Sequence, residues 1–501
     1  MYNLSSLILG KAPEFPRDLI WLNTEVPLSL ARLRGYIVVI DFWTYCCINC
    51  IHMVPVFEKL SQEYKNSPVV FVGIHSAKFL EEQKPENIEE AIGRYEITHP
   101  VAVDDNMRLW NMYGASAWPT TVVIDPKGNI IYRSAGEKSM IEIGGVIEML
   151  LEKFKADKEL AKKLFELRLP ERKQTGVLSY PGKMSFNADG SKFAVSDSNH
   201  NRILIVDAST GIVSDRIGRG ERGLRDGSLT DAMFYHPQGV LWKDDTVYVA
   251  DTENHAVRAI DLKMQRVETI AGNGEQGRYK PFEYSGAGKG TQLSSPWDLA
   301  FYDNKLLIAM AGFHQIWALE PKSGFVYPLA GDGVENIYDG NFPTAEFAQP
   351  SGLYADGDYV YVADSEVSGV RSIDMRQRFA STIVGTGLFE FGLKDGSLYD
   401  ARLQHPLGVC ASGNNVYVAD TYNSSIRMID LKKQMITTLV GTPTAKSMCK
   451  FGDPNCDTLG LYEPSDVKLR DNKLYIVDTN NHLIRTFDLK TMVLGTLKLT
   501  L

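Results

Sequence analysis

The sequence from residue 180 onward repeats itself six times, and this repetition constrains the fold more than any other feature. The segment HPQGVLWKDDTVYVADTENHAVRAIDLKMQRVETIAG (236–272) matches HPLGVCASGNNVYVADTYNSSIRMIDLKKQMITTLVG (405–441) almost position by position, and four weaker copies follow the same template. Each copy starts near a proline, and these prolines lie 54 to 59 residues apart: Pro181, Pro237, Pro296, Pro350, Pro406 and Pro464.

Each repeat unit contains four short runs rich in Val, Ile, Leu and Tyr, separated by Gly, Asn and Asp turns. This pattern predicts a four-stranded antiparallel meander. Because one meander cannot bury both of its faces, the units must stack, and six units packed radially close a ring. We therefore predict an all-β six-bladed β-propeller over residues 176–501. The first and last units are both complete, so the ring can close without sharing strands between them.

The segments between units are long and related to one another. GRGERGLRDGSLTDAMFYHP (218–237) resembles GTGLFEFGLKDGSLYDARLQHP (385–406). We expect these loops to emerge on one face of the ring, where long loops often bind partners. The predicted partner of this face is another protein.

Within the units, the motifs VYVADTENHAVRAID, VYVADTYNSSIRMID and LYIVDTNNHLIRTFD resemble NHL repeats. We expect the recurrent aspartate to lie in the turn after the second strand and to accept backbone N–H bonds. The third unit departs from this template because Met310 occupies the aspartate position, which can mark either a site or drift. The five aspartates are Asp197, Asp251, Asp364, Asp420 and Asp478.

The first 150 residues follow a different rhythm, in which strand and helix alternate. GYIVVIDFW and PVVFVGIHS are short β-rich runs typical of strands inside a sheet, and helical stretches follow them. These residues predict a separate α/β domain over 1–150, with helices on both faces of the sheet. A charged helical linker is expected over 151–175, ending near Pro170.

Three of the six cysteines crowd into DFWTYCCINC, at positions 46, 47 and 50. Crowding of this kind favours thiol chemistry or a metal site over structural disulfides. A metal site would need a fourth ligand, and although His52 and His75 are near, no second Cys/His pair follows. We therefore predict no metal, and we expect His75 to be a satisfied strand-end residue. Cys449 and Cys456 are interpreted as reduced loop thiols.

The stretch VVIDFWTYCCINC resembles the strand-to-helix junction of thioredoxin-like proteins, and YGASAWPTTVVIDPKGNII resembles their cis-proline loop and final hairpin. The resemblance covers residues 10–150. It implies that Cys47 attacks a substrate disulfide, Cys50 resolves it and Asp41 is the buried carboxylate. It further implies that Trp43, as a supporting indole, and the loop of Trp118 and Pro119 form the substrate-binding residues.

Physical chemistry agrees with these implied roles. A thiol at a helix N-terminus has its ionised form stabilised by unsatisfied N–H groups, and a second cysteine three residues on can reach it. The dipeptide Ile48–Asn49 between the cysteines departs from the Gly-Pro or Pro-Pro of many relatives, so the direction of electron flow cannot be predicted. Cys46, where relatives have an aromatic residue, is an accessory thiol that could trap or protect Cys47.

Net charge, hydropathy and the N-terminal residues indicate which partners and which location to expect. A net charge of −9 offers no basic face for nucleic acid. No stretch approaches the roughly 18 apolar residues of a membrane helix, and the N-terminus lacks signal-peptide features, which predicts a cytoplasmic protein without a membrane partner. No cofactor is predicted.

The leading hypothesis is a thiol–disulfide oxidoreductase that acts on protein thiols and disulfides, with the propeller recruiting a protein client. Two alternatives stay open. The first is a non-enzymatic adaptor in which both domains are binding surfaces. The second is a propeller enzyme with an axial metal, for which only His236 and His405 recur in suitable positions.

Overall fold

The chain forms two compact units, Met1–Lys173 and Gln174–Leu501. The computed structural model describes residues 7–165, 169, 176–278, 286–441 and 460–501, the side chain of Asp105 excepted. The predictions made for Cys449, Cys456 and Pro170 lie outside these residues. Within the described ranges, no helix is both long enough and apolar enough to cross a bilayer.

The first unit is built on one mixed seven-stranded sheet. Its strands are β1 (Gly10–Lys11), β2 (Trp21–Leu22), β3 (Ile37–Trp43), β4 (Val69–His75), β5 (Val101–Val103), β6 (Thr120–Ile124) and β7 (Asn129–Ala135). They are ordered β1-β7-β6-β3-β4-β5-β2, with β3, β4 and β5 parallel and β6 antiparallel to β3. The predicted α/β sheet is confirmed.

Helices cover both faces of this sheet. They are α1 (Ile48–Glu63), α2 (Pro85–Arg94), α3 (Arg108–Tyr113) and α4 (Met140–Ala156). Side chains alternate along β3, so Ile37 and Val39 pack with α1 and α4 while Val38 and Ile40 pack on the α3 face. By the same alternation Asp41 and Trp43 face α1, and this places them beneath the cysteines.

The helix α4 begins at a defined cap and ends early in the segment that was predicted to be a helical linker. The Ser139 hydroxyl accepts the Glu142 N–H at 3.2 Å, which satisfies one of the free donors of the first turn. The helix ends at Ala156, and residues 157–165 are not helical. Among the described residues, the helical linker predicted for 151–175 is therefore helical only through Ala156.

The second unit is a ring of six antiparallel blades, which confirms the predicted propeller. Four strands per blade follow one another from the axis outward. Blade 1 contains β8 (Met184–Phe186), β9 (Lys192–Asp197), β10 (Arg202–Asp207) and β11 (Val213–Ile217), and blade 2 contains β13 (Val240–Lys243), β14 (Thr246–Asp251), β15 (Ala256–Asp261) and β16 (Arg266–Ala271). Blade 3 contains β18 (Pro296–Tyr302), β19 (Lys305–Met310), β20 (Gln315–Glu320) and β21 (Phe325–Ala330), and blade 4 contains β23 (Pro350–Asp356), β24 (Tyr359–Asp364), β25 (Gly369–Asp374) and β26 (Phe379–Val384). Blade 5 contains β28 (Gly408–Ser412), β29 (Asn415–Asp420), β30 (Ser425–Asp430) and β31 (Met435–Val440), and blade 6 contains β32 (Pro464–Arg470), β33 (Lys473–Asp478), β34 (Leu483–Asp488) and β35 (Val493–Leu497).

Blades 2 to 5 carry a fifth, two-residue strand that the sequence did not predict. It comes from the loop before the blade and pairs antiparallel with the outermost strand. The inter-blade loops therefore cover outer blade edges that would otherwise expose free backbone groups. These strands are β12 (Gly227–Ser228), β17 (Gly286–Ala287), β22 (Gly340–Asn341) and β27 (Gly396–Ser397).

In five blades the recurrent aspartate is the last residue of the second strand, one position before the predicted turn, and it accepts a backbone N–H from the start of the blade, as predicted. Each carboxylate accepts a backbone N–H at 2.6 to 2.8 Å, from the residue sixteen positions earlier in four blades and from Ser179, eighteen positions earlier, at Asp197. In blades 2, 4 and 5 the other oxygen binds a fully buried arginine seven residues later, which also pairs with an aspartate of the preceding loop. The three arginines are Arg258, Arg371 and Arg427.

Blade 3 replaces this ion pair with apolar packing. Met310 stands in the aspartate position and Trp317 in the arginine position, and both are buried. The Trp317 ring stacks on Phe313 at 5.5 Å, and its Nε1 donates to Gln315 Oε1 at 3.0 Å. Exchanging a buried ion pair for well-packed apolar side chains preserves stability. The departure at Met310 is therefore explained by packing.

Neighbouring blades are joined by one repeated hydrogen bond at every junction. After its second strand each blade has one left-handed residue whose side chain accepts the backbone N–H of the residue just before the next blade's proline. The acceptors are Asn201, His255, His314, Ser368, Ser424 and His482.

Candidate active site

Cys47 occupies the N-cap position of α1, directly after the end of the buried strand β3. Its backbone is extended (φ −79°, ψ 117°), and its carbonyl accepts the N–H groups of Cys50 and Ile51 at 3.0 and 3.1 Å. Cys47 is half-buried, whereas Cys46 and Cys50 are 1% and 0% exposed. Of the three sulfurs, that of Cys47 is therefore the most accessible to a substrate.

Cys50 lies one turn deeper and is held as a neutral thiol. Burial raises the pKa of the Cys50 thiol well above its ordinary value, and its hydrogen bond to Cys47 and the nearby charges of Cys47 and Asp41 raise it further. The neutral Cys50 thiol, next to the half-buried sulfur of Cys47, therefore stays unreactive until a base removes its proton.

Asp41 lies on β3 beneath the dithiol. It is 4% exposed, and burial raises the pKa of its carboxyl to about 8. Its Oδ1 has no hydrogen-bond partner among the described residues. Since the carboxyl titrates within about a unit of neutral pH, it can exchange a proton with a neighbouring thiol at low cost.

The Trp118–Pro119 bond is cis, and this loop faces the first cysteine. The carbonyl oxygen of Trp118 lies 4.0 Å from the sulfur of Cys47. The Trp118 indole donates to the Ser76 carbonyl at 2.8 Å and packs on Trp110 at 4.5 Å, which fixes the loop. The Pro119 ring is buried, so the loop presents backbone and half of an indole to a substrate.

Trp43 does not reach the surface. It is 2% exposed, and its ring meets that of His75 edge-on at 4.9 Å. It can therefore support the site, but it cannot contact a substrate directly, contrary to its predicted place among the substrate-binding residues.

His75 ends β4, as expected, but it is not satisfied by hydrogen bonds. Neither of its ring nitrogens has a partner among the described residues, and burial lowers the pKa of His75 to about 3. The neutral ring stacks on Tyr45 at 5.4 Å and so supports the segment that leads into the cysteines.

Sequence reasoning missed two residues of this region. Gly73 pairs with Asp41 in the sheet, and a Cβ atom there would lie 3.0 Å from both Trp43 Nε1 and His99 Nε2. Glu82 is fully buried and its carboxylate accepts the Cys46 N–H. Both contacts join residues more than 25 positions apart, so no local pattern signals them.

No group of three or more His, Cys, Asp or Glu side chains within the described ranges is arranged to hold a metal ion. His52, considered as a ligand from the sequence, instead pairs its Nδ1 with Glu137 Oε1 at 2.7 Å.

The propeller axis is occupied by a lysine. Lys183 of blade 1 is 1% exposed and donates to the carbonyls of Leu407 in blade 5 and Ser465 in blade 6. Its Nζ lies 3.6 Å from Asp298 of blade 3. A side chain that reaches three other blades lies at the centre of the ring, where its ammonium faces the Asp298 carboxylate. His236 and His405, the residues considered for an axial metal, bond through their backbone to the preceding blade.

A half-buried cysteine at a helix N-cap, above a second buried cysteine and a buried carboxyl, defines a thioredoxin-like dithiol centre, here fused to a six-bladed propeller. Residues 35–130 match the Thioredoxin-like family and residues 403–427 match the NHL repeat. The chain belongs to the NHL repeat-containing protein 2 family. It is 39% identical over 521 residues to NHL repeat-containing protein 2 of Bos taurus, which covers 96% of this chain and 70% of that protein.

Two further relatives match different extents of the chain. Protein SUPPRESSOR OF QUENCHING 1, chloroplastic, of Arabidopsis thaliana is 40% identical over 499 residues, which is 95% of this chain but 46% of that protein. The chain therefore spans less than half of this relative. Thiol-disulfide oxidoreductase ResA of Halalkalibacterium halodurans is 27% identical over 128 residues, or 25% of this chain and 65% of that protein.

Proposed function

We propose that the chain is a thiol–disulfide oxidoreductase whose reacting groups are Cys47, Cys50 and Asp41. The observation that carries the proposal is the stacking of a half-buried thiol above a fully buried one, with a carboxyl that titrates near neutral pH beneath them. The similarity of residues in the first unit to a protein named thiol-disulfide oxidoreductase supports the same chemistry.

The reaction takes two exchange steps. The Cys47 thiolate attacks one sulfur of a substrate disulfide, the S–S bond breaks, and the other sulfur leaves as a thiolate. Cys50 then gives its proton to the ionised form of the Asp41 carboxyl and attacks the Cys47 sulfur. The Cys47–Cys50 disulfide forms, the second substrate thiolate leaves, and two electrons have passed to the substrate. The reverse direction uses the same atoms.

The Trp118 loop is proposed to bind the substrate backbone. Its carbonyl oxygen already faces the Cys47 sulfur at 4.0 Å, so an extended chain that pairs with this loop would bring its disulfide to the nucleophile. Cys46 is too buried to react first, which supports an accessory role.

The propeller is proposed to recruit the protein partner through its inter-blade loops. Large apolar side chains on two of these loops face solvent: Tyr399 is 84% exposed, Phe389 68%, Tyr338 56% and Val334 52%. Exposed aromatic side chains are enriched in protein-binding surfaces. This observation also supports the adaptor alternative, in which binding is the whole function.

Trapping tests the chemistry. Replacement of Cys50 by Ser removes the resolving thiol, so a disulfide-bonded peptide should remain attached at position 47 as a mixed disulfide that mass spectrometry detects. The double replacement of Cys47 and Cys50 by Ser should form no adduct at these positions, and Cys410→Ser, at a buried thiol of the propeller, should behave as the parent. Absence of the adduct, or an adduct on Cys46 instead, would favour the adaptor.

The cytoplasmic location predicted from the sequence remains a proposal. The Arabidopsis relative carries the word chloroplastic in its name, so the compartment is best tested by fractionating cells that produce this chain.

A further inference from the structure

A buried aspartate joins the two parts of the first unit that support the Trp118 loop. Asp104 directly follows β5 and is 4% exposed. Its Oδ2 accepts the hydroxyl of Ser76 at 2.7 Å and the N–H of Trp110 at 2.9 Å, and its Oδ1 accepts the N–H of Leu109 at 2.6 Å. One carboxylate therefore fixes both the residue that follows β4 and the first turn of α3.

Ser76, the first partner of Asp104, lies between the strand that leads to the cysteines and the Trp118 loop. Its backbone N–H donates to the Trp43 carbonyl at the end of β3 at 2.9 Å, and its own carbonyl accepts the Trp118 indole N–H at 2.8 Å. Ser76 is 0% exposed, so water does not compete for its bond to Asp104. A displacement of Ser76 would therefore move the Trp118 ring relative to the strand that leads to Cys47.

Trp110, the second partner of Asp104, supports the loop from another side. Its ring packs on the Trp118 ring at 4.5 Å, and its carbonyl accepts the N–H of Ala115, where the loop begins, at 3.0 Å. The N–H groups in the first turn of a helix have no partner within the helix, so the Asp104 oxygens hold this turn in place. Trp118 thus has two supports, and both depend on Asp104.

We propose that Asp104 is a positioning residue of the dithiol centre, which holds the Trp118 loop where an extended peptide can pair with it beside Cys47. The proposal rests on the proposed function and adds to it the residue that makes the centre select disulfides carried on a peptide. The Trp118 carbonyl lies 4.0 Å from the Cys47 sulfur, so a displacement of the loop would disrupt the pairing with a substrate backbone. A small disulfide without a peptide backbone does not need the loop.

The test compares two disulfides that share a leaving group. One is bis(2-hydroxyethyl) disulfide, and the other is a short extended peptide whose single cysteine is linked to 2-mercaptoethanol. Each reacts with the full chain carrying Cys50→Ser, and mass spectrometry follows the mixed disulfide that forms at Cys47 as the other sulfur leaves as a thiolate.

Adding Asp104→Asn should slow the reaction with the peptide selectively, because the amide nitrogen of asparagine cannot accept an N–H. We expect the peptide to react about tenfold more slowly and the small disulfide to stay within about twofold of the parent rate. An unchanged peptide rate, or an equal slowing with both disulfides, would overturn the proposal.

Asp125→Asn is the matched control. Asp125 is also buried, and its carboxylate accepts the N–H groups of Lys127 and Asn129 and the Asn129 side chain. It follows β6, whereas the Trp118 loop precedes that strand, so its replacement should leave both rates unchanged. A slowing with the peptide as large as that in Asp104→Asn would count against a specific role of Asp104.

Ser76→Ala decides the question should Asp104→Asn fail to fold. It removes the hydroxyl donor to Asp104 and keeps the carbonyl that binds Trp118. The peptide should therefore react about threefold more slowly, with the small disulfide at the parent rate. Parent rates with both disulfides would refute the proposed link between Asp104 and the loop.

A failure of the proposed function would give a different result. If the Cys50→Ser chain forms no adduct with either disulfide, the oxidoreductase proposal fails, and hydrogen–deuterium exchange decides the positioning role. The amides of residues 115–118 should exchange faster in Asp104→Asn than in Asp125→Asn. Equal exchange in the two variants would contradict that role.

Discussion

The Nδ1 atom of His482, in the last blade, accepts the backbone N–H of Tyr180, ahead of the first blade, at 2.9 Å. This is the same bond that joins every other pair of neighbouring blades, so the ring closes by the contact that builds it. A second contact helps, because Val213 of β11 donates its N–H to the Thr500 carbonyl at 2.8 Å. No blade among the described residues is made of strands from both chain ends.

Removing the closing acceptor should weaken the propeller. His482→Ala leaves the Tyr180 N–H without its acceptor and should cost about 1–3 kcal/mol of unfolding free energy. His482→Asn should retain most of the stability, because Asn201 makes the equivalent bond in blade 1. Urea denaturation of the full chain measures both. Equal losses in the two variants would contradict the role given to the hydrogen bond.

The same histidine predicts a pH dependence. Burial lowers the pKa of His482 to about 4, below the roughly 6.5 of an unfolded chain. Between these values the unfolded chain binds a proton that the folded chain does not, so stability should fall as pH decreases from about 6.5 to 4. The control is His482→Asn, which should show a shallower fall in urea midpoint over this window. Identical slopes would contradict the prediction.

Breaking the buried ion pair of blade 5 should lower the free energy of unfolding strongly, whereas replacing both of its members with packed apolar side chains should lower it much less. Arg427→Leu leaves the Asp420 carboxylate buried without its cation, and should cost about 3–5 kcal/mol. The double variant Asp420→Met with Arg427→Trp copies the Met310 and Trp317 pair of blade 3, and should regain more than half of that loss. A double variant no more stable than Arg427→Leu would show that blade 3 depends on other features.

Gly73 should tolerate no side chain. In Gly73→Ala the new methyl group would press on Trp43 and His99, and the unit should lose about 1–3 kcal/mol. Gly145 in α4 is the matched control, because nothing lies within 4 Å of its added Cβ. There the alanine should be neutral or stabilise by up to about 1 kcal/mol. Thermal denaturation distinguishes the two, and equal effects would refute the packing argument.

Replacing Asp41 by Asn should stabilise the first unit at high pH and slow the resolution of the mixed disulfide. Burial raises the pKa of its carboxyl to about 8, so between about pH 4 and 8 the folded chain holds a proton that the unfolded chain has lost. Its contribution to stability is therefore lost as pH rises towards 8. Asp41→Asn should remove this loss, stabilise the first unit at about pH 9 by a few kcal/mol, and prolong the mixed disulfide at Cys47. An unchanged pH profile would contradict the burial of a titrating carboxyl.

The sequence predicted the blades well, because six copies of one pattern report the same four strands. It could not predict the fifth strands, which are two residues long and recognisable only from their pairing with the outer strand. It also missed the arginine partner of each recurrent aspartate. The seven-residue spacing of Asp251 and Arg258 has meaning only once β14 and β15 are placed in register.

In the first unit, the local motif located the cysteines on the correct helix end, because a strand followed directly by a helix is visible in the sequence. The buried residues that support the cysteines were less predictable. Trp43 was expected among the substrate contacts, and its burial follows from the side-chain alternation along β3. Glu82 meets Cys46 across 36 positions of chain, a contact that only the tertiary fold creates.

The most direct test of the account is the redox equilibrium of the dithiol. The full chain is incubated in a series of glutathione buffers, quenched by alkylation, and the state of each cysteine is read by peptide mass spectrometry. The account predicts one two-electron transition in which Cys47 and Cys50 lose their thiols together and become joined, while Cys46 and Cys410 stay alkylatable once the chain is unfolded. A chain in which Cys47 and Cys50 never join across the whole series, or in which Cys46 joins in place of Cys47, would contradict it.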